Sequence, residues 1–294
     1  MLMVIEENDF EILAADGHRI HGVTWKNEAL PKAHVQIAHG RSEHGHRYAH
    51  AAQYLVRAGF WVHASDHRGH GSAAREAGTL GNFGPRGFDG VVDDLVVVNR
   101  HIRHNHPHAP LILFGHSMGS FAAQYFILKH SLLIEGVMLC GTAAVDLRDP
   151  RHPAYETIDL NARIPSPRTP YDWLSRDVAE VDAFMADPLC GFDLTPASRD
   201  SMYCDAAKTA DPAAYAGVRR SLPIVLITGD QDPVNQFLKL FTPLTARLRS
   251  FGFTDVTTHV YGGVRHEPFN DLTREEVLTT TSAWIHRVAS STFT

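Results

Sequence analysis

The chain has 294 residues, of which 44% are apolar and 20% charged, enough for a sizeable core and too hydrophobic for a disordered chain. A net charge of −6 with no dense Lys/Arg run excludes a nucleic-acid footprint and tight docking on an anionic membrane. Three cysteines, odd in number and without metal spacing, exclude a disulfide framework and fit a reducing, cytoplasmic setting. The start, Met1–Ile5, runs straight into Glu6 and Glu7 and has neither the basic region nor the apolar length of a signal peptide. No run approaches the roughly 20 apolar residues of a membrane span, so no stable membrane insertion is expected.

The order of elements is regular at first. Phe10–Ala14 and Ile20–Trp25, separated by Asp16-Gly17, predict a β-hairpin. Val35–Ala38 is a short buried strand ending at His39-Gly40, and a helix follows through Tyr48, Ala52, Leu55 and Val56 until Gly59 stops it. Trp61–Ala64 is the next strand, running into Asp66-His67-Arg68-Gly69-His70-Gly71. Val91 to Ile102 has helical spacing up to Pro107. Leu111–Phe114 then reads as a strand, Gly115-His116-Ser117-Met118-Gly119 as a sharp turn, and Phe121, Tyr125 and Leu128 as one face of a helix. Gly136–Cys140 is a further strand, with Cys140 a small buried hydrophobe.

The rhythm breaks after Gly141. Five prolines fall between Pro150 and Pro170, and short helices are expected around Trp173-Leu174, Val181–Met185 and Tyr203. It resumes with a strand at Ile224–Ile227, a helix from Phe237 to Phe251 and a strand at Val256–Tyr261. Thr273-Arg274-Glu275-Glu276 is a capping box opening the last helix. Alternating strands and helices imply an α/β protein with a mostly parallel sheet and helices on both faces. Residues 1–143 and 219–294 would form this core, and 144–218 a mainly helical cap inserted into it.

Strand, G-x-S-x-G, helix is the context in which the motif is a nucleophile elbow. A serine hydroxyl attacks only when a base takes its proton and a third group orients the base. Parallel strands bring their C-terminal ends to one sheet edge, so partners belong just past later strands. Thr228-Gly229-Asp230-Gln231-Asp232-Pro233 offers two aspartates there, and Gly262-Gly263-Val264-Arg265-His266-Glu267 offers a histidine. Backbone N–H groups of Met118 and Arg41 are candidates for an oxyanion hole. The histidines at 63, 67 and 70 sit in a glycine-rich stretch without supporting ligands, and Glu43, His44 and His46 read as loop-fixing or surface groups, so no metal is expected. The histidines at 101, 104, 106 and 108 read as a solvated helix end.

His39-Gly40-Arg41-Ser42-Glu43-His44 with Arg47-Tyr48, Asp66–Gly71, Gly115–Gly119, Trp173–Asp177, Asp187–Phe192, Gly229–Val234 and Arg265–Glu267 together resemble the monoacylglycerol lipase and lysophospholipase branch of the α/β-hydrolases, a group also called serine aminopeptidase-like. The resemblance implies the α/β-hydrolase fold and a cofactor-free serine hydrolase acting on a small-molecule carboxylic ester. Its acid stands just before the proline, which selects Asp232 over Asp230. Ser117, Asp232 and His266 would be the triad, and 144–218 a cap over an acyl-binding cleft. The position after His39-Gly40 is usually small or apolar in these proteins and is Arg41 here. The proline-rich cap carries Arg148, Arg151, Arg163, Arg168 and Arg176, unlike a plainly apolar lid, which opens the expectation to smaller or charged esters. An amidase, a peptidase or an acyltransferase could use the same triad, and a non-catalytic binding protein could keep the pocket.

Overall fold

The computed structural model describes residues 4–291; Met1–Met3, part of the N-terminal stretch read above, lie outside them. Eight strands form one sheet: β1 (Glu6–Leu13), β2 (Arg19–Lys26), β3 (His34–Ala38), β4 (Trp61–Ser65), β5 (Leu111–His116), β6 (Gly136–Cys140), β7 (Ile224–Gly229) and β8 (Val256–Tyr261). Their order is β1-β2-β4-β3-β5-β6-β7-β8, antiparallel at β1/β2 and β2/β4 and parallel from β4 onwards. The helices are α1 (Ala49–Arg57), α2 (Gly71–Glu76), α3 (Gly87–Asn105), α4 (Met118–His130), α5 (Val145–Arg148), α6 (Val178–Ala186), α7 (Pro196–Met202), α8 (Phe241–Ser250) and α9 (Arg274–Ser291).

Side chains on a strand alternate between faces, and the core divides accordingly. Leu111 and Leu113 of β5, Val137 and Leu139 of β6 and Ile224 and Leu226 of β7 pack with α3, α4 and α8 through Leu95, Phe126 and Leu244. Ile112 and Phe114, Met138 and Cys140, and Val225 and Ile227 pack on the other face with α1 and α9 through Leu55, Val277 and Ile285. Because both faces are covered, all six residues of β5 are buried, which is why this strand reads as a continuous apolar run.

Among the described residues no strand lies between β6 and β7; α5, α6, α7 and two 3-10 turns at Ala206–Ala210 and Pro212–Tyr215 fill that span. Two local expectations change. Trp173 and Leu174 lie in turns rather than a helix. Helix α8 begins at Phe241, not Phe237, because Gln236, Phe237 and Leu238 take positive φ of 54°, 56° and 76°, incompatible with a right-handed helix. Among the described residues no helix is long and apolar enough to cross a membrane.

Candidate active site

The turn between β5 and α4 forces a serine into a conformation that L-residues avoid: Ser117 has φ 51° and ψ −119°. The flanking glycines permit it. A Cβ on Gly115 would stand 2.4 Å from the Gly119 carbonyl oxygen, and one on Gly119 would stand 2.0 Å from that of Ala38. The Ser117 N–H donates to the Cys140 carbonyl (2.9 Å), tying the turn to the end of β6.

His266 follows β8 and Asp232 follows β7, and their side chains meet: His266 Nδ1 lies 2.9 Å from Asp232 Oδ1, with both residues almost wholly buried. The carboxylate has further partners. Val234 N–H donates to Oδ1 (2.8 Å), and Asn235 Nδ2 (3.1 Å) and the Thr228 hydroxyl (3.3 Å) donate to Oδ2. The other aspartate turns away, since Asp230 Oδ1 accepts from Gly263 N–H (2.8 Å) and Gln231 Nε2 (3.0 Å). Geometry therefore separates two residues that position along the chain left equivalent. Ser117, Met118, Arg41 and His266 all line one cleft.

The loop after β3 presses on the serine: a Cβ on Gly40 would come within 3.2 Å of Ser117 Cβ and 2.5 Å of Glu43 Oε1. Among the described residues, the backbone N–H groups of Arg41 and Met118 have no protein acceptor. Two unpaired donors beside a strained serine can bind an oxygen that gains negative charge.

Glu43 fixes this loop, as one of the two expectations for it has it, but from a buried position: it is 2% exposed and accepts from Gly40 N–H, Tyr48 Oη (2.9 Å) and Arg47 Nη1. Arg47 also grips Glu267 with both Nη atoms (2.9 and 2.8 Å). Burial alone would raise the Glu43 carboxyl, but the Arg47 guanidinium and the His116 ring hold it well below its usual range. Burial would lower His116, yet its contact with Glu43 at 3.2 Å leaves it raised. His116 also meets the His266 carbonyl (3.2 Å), so one buried network joins the loop after β3 to the histidine loop. The signal available in sequence was Glu43, four residues before Arg47, with Glu267 beside His266; nothing local reveals that they meet.

Removing one member of a buried charge network leaves the others uncompensated, at about 3–5 kcal/mol. Arg47→Met is accordingly expected to lower unfolding stability by that amount, read from the denaturant midpoint. Arg47→Lys should recover little of it, because one ammonium cannot reproduce the fork across two carboxylates. A midpoint unchanged in Arg47→Met contradicts the network.

The histidines that suggested a metal have other work. His67 N–H donates to His39 Nε2 (3.0 Å), and His67 Nε2 meets the His39 carbonyl (3.0 Å). Ser42 N–H donates to His70 Nε2 (3.1 Å), while His63 pairs with His34 at 2.9 Å. The proline-rich span is tied to these loops as well. His266 N–H and Glu267 N–H donate to the Trp173 and Leu174 carbonyls (3.4 and 2.8 Å), Gly191 N–H donates to the Ser42 carbonyl (3.0 Å), and His44 Nε2 lies 2.8 Å from Asp187 Oδ2. Trp173, Leu174, Phe184 and Val234 form their own small apolar cluster along the cleft.

A parallel sheet with a strained serine at a G-x-S-x-G elbow and a buried Asp–His pair at two later strand ends defines a protein of the α/β-hydrolase fold. Residues 29–273 match the family model described as serine aminopeptidase, S33, and the chain belongs to that family. It is 29% identical over 276 residues to a monoacylglycerol lipase of Mycolicibacterium smegmatis, covering 92% of this chain and 93% of that one. It is 26% identical over 288 residues to a monoglyceride lipase of Rattus norvegicus, covering 95% and 90%. A crystal structure of a thermostable carboxyl esterase from Bacillus coagulans, solved with glycerol, superposes with a TM-score of 0.83 at 29% identity, covering 96% of this chain and 99% of that one.

Proposed function

We propose that this protein is a serine hydrolase of carboxylic esters that works through an acyl-enzyme. The observation that carries the reading is the Asp232–His266 pair, 2.9 Å apart, whose histidine lines one cleft with Ser117. The relatives that match over nearly their full length carry lipase and esterase names, which favours an ester over an amide. Asp232 holds the imidazole in the tautomer with Nδ1 protonated, leaving Nε2 to take the Ser117 proton. Ser117 Oγ attacks the ester carbonyl, and the Met118 and Arg41 N–H groups stabilise the oxyanion. His266 returns the proton to the leaving alcohol, then activates water to release the acid and regenerate the serine. None of these steps requires a cofactor.

Residues 144–218 act as the cap over this cleft, and Trp173, Leu174 and Phe184 supply its apolar wall. Monoacylglycerol-like, lysophospholipid-like or smaller esters fit this description. A cytoplasmic location belongs to the same proposal and rests on the small number of cysteines.

A fluorophosphonate probe should label Ser117 in the folded protein, and p-nitrophenyl esters of graded chain length should be turned over with saturation. Asp232→Asn, which favours the wrong tautomer, should lower kcat by about 10⁴, whereas Asp230→Asn should change it less than about tenfold. The reverse ranking would move the acid to Asp230, and a probe that spares Ser117 in the folded enzyme would remove the mechanism.

A further inference from the structure

The cleft lining holds two unlike groups. Trp173, Leu174 and Phe184 belong to one apolar cluster, and Arg41, Arg148 and Tyr203 form a second group whose charges act on one another. Several arginines elsewhere near the site are committed to carboxylates, Arg47 to Glu43 and Glu267, Arg176 to Asp271, Arg247 to Asp146, Arg274 to Asp177 and Glu180, while Arg265 donates to the Asp172 and Ser175 carbonyls and Arg163 and Arg199 lie outside the cleft lining. Within the proline-rich span Arg151 pairs with Asp149 and Arg168 with Asp182. Arg41 and Arg148 differ. Among the described residues neither guanidinium has an ion pair or a hydrogen bond, and Arg148 Nε is fully buried without a partner. The carboxylates nearest to Arg148 in the chain, Asp146 and Asp149, are already held by Arg247 and Arg151. Asp193 also lines the cleft, yet lies outside ion-pair distance of both arginines. Arg41 is solvent-exposed where it lines the cleft, and the Arg199 and Arg148 cations crowd it with like charge against the pull of Asp193.

Guanidinium groups left without acceptors in a partly closed cleft favour an anion, and the planar fork suits a carboxylate or phosphate. An apolar cluster and two cations in one cleft suit an amphiphile. We propose that Arg41 and Arg148 form an anion subsite, so that the preferred substrates are monoacyl esters bearing a phosphate or carboxylate on the part opposite the acyl chain. The inference rests on the ester-hydrolase reading and narrows its substrate class. It also gives a use to the Arg41 side chain, whose backbone N–H faces the oxyanion.

Binding and turnover test it separately. In a Ser117→Ala background, which cannot turn substrate over, 1-decanoylglycerol 3-phosphate, the decanoyl ester of glyceric acid and neutral 1-decanoylglycerol are titrated by calorimetry at low salt. At least one anionic ester should bind about tenfold or more tighter than the neutral one, and whichever shows the larger preference identifies the group. Adding Arg41→Gln and Arg148→Gln should bring the anionic ester to within a fewfold of the neutral one, with both affinities read in the same variant. Equal binding of all three, or a preference that survives the double substitution, overturns the subsite. If the preference holds but the wild-type enzyme hydrolyses none of the three, the subsite stands and the ester-hydrolase reading falls.

Discussion

Ser117→Ala is expected to lower ester turnover by about four to six orders of magnitude while leaving the melting temperature near that of the parent. The size follows from what is removed. Without Oγ no acyl-enzyme forms, and the remaining oxyanion donors and binding cleft can assist only direct attack by water. Stability should survive because the strain at φ 51° belongs to the backbone turn, which Gly115 and Gly119 maintain, and alanine tolerates that region no worse than serine. The measurement is steady-state hydrolysis of a p-nitrophenyl ester with protein freed of contaminating esterases, beside a thermal melt. Ester turnover within tenfold of the parent would sink Ser117 as nucleophile. Loss of activity together with loss of fold would show instead that the elbow depends on the hydroxyl.

Acid should unfold this protein unusually early. Five histidines are buried and held neutral: His34 is lowered to about 3, His67 to about 4 and His70 to about 3, with His39 and His63 also well below the usual 6.5. Burial is the main cause in every case. The unfolded chain takes up these protons near 6.5 and the folded chain does not. Their contribution is therefore complete above 6.5 and is lost as pH falls towards the folded values, at about 1.4 kcal/mol per pH unit for each independent site. His34 touches His63, and His39 touches both His67 and His70, so two clusters remain and the loss by pH 5 is on the order of 4 kcal/mol. That is a large share of the roughly 5–15 kcal/mol that stabilises a whole domain. His116 has the opposite sign, since its raised value adds stability below 6.5 that fades as pH rises through the folded value. Asp66, raised chiefly by burial, also favours the folded state in acid, which softens the fall without reversing it. Thermal melts from pH 8 to pH 5 should show a steep drop beginning near 6.5, and activity should fall with it because His39, His67 and His70 brace the loop that carries Arg41. A melting temperature constant down to pH 5 would contradict this account.

Much of the core was legible in the residues. Strands such as Gly136–Cys140 and Val256–Tyr261 have the bounds that apolar and β-branched runs between turn residues suggest, because those signals are local. The elbow was legible for a similar reason, since its glycines answer a steric demand within five residues. The start of α8 was not, because the left-handed turn at Gln236–Leu238 uses residues with no local preference for it and is held in part from far along the chain, with Gln236 Nε2 donating to the Glu156 carbonyl at 3.1 Å.

By itself the sequence determined the alternation of strands and helices, the elbow at Ser117 and a short set of partners at later strand ends. Position along the chain left Asp230 and Asp232 equivalent, with the family resemblance alone choosing Asp232, and the tertiary structure supplied the contact itself, because the two stand two residues apart in one turn that points them to different partners. The tertiary structure also decided that Glu43, Arg47, His116 and Glu267 form one buried network, and that Arg41 and Arg148 reach the cleft unpaired. These are contacts between residues up to 220 positions apart. Charge pairing at such separations leaves no periodic trace along the chain, whereas hydrophobic patterning and turn chemistry do.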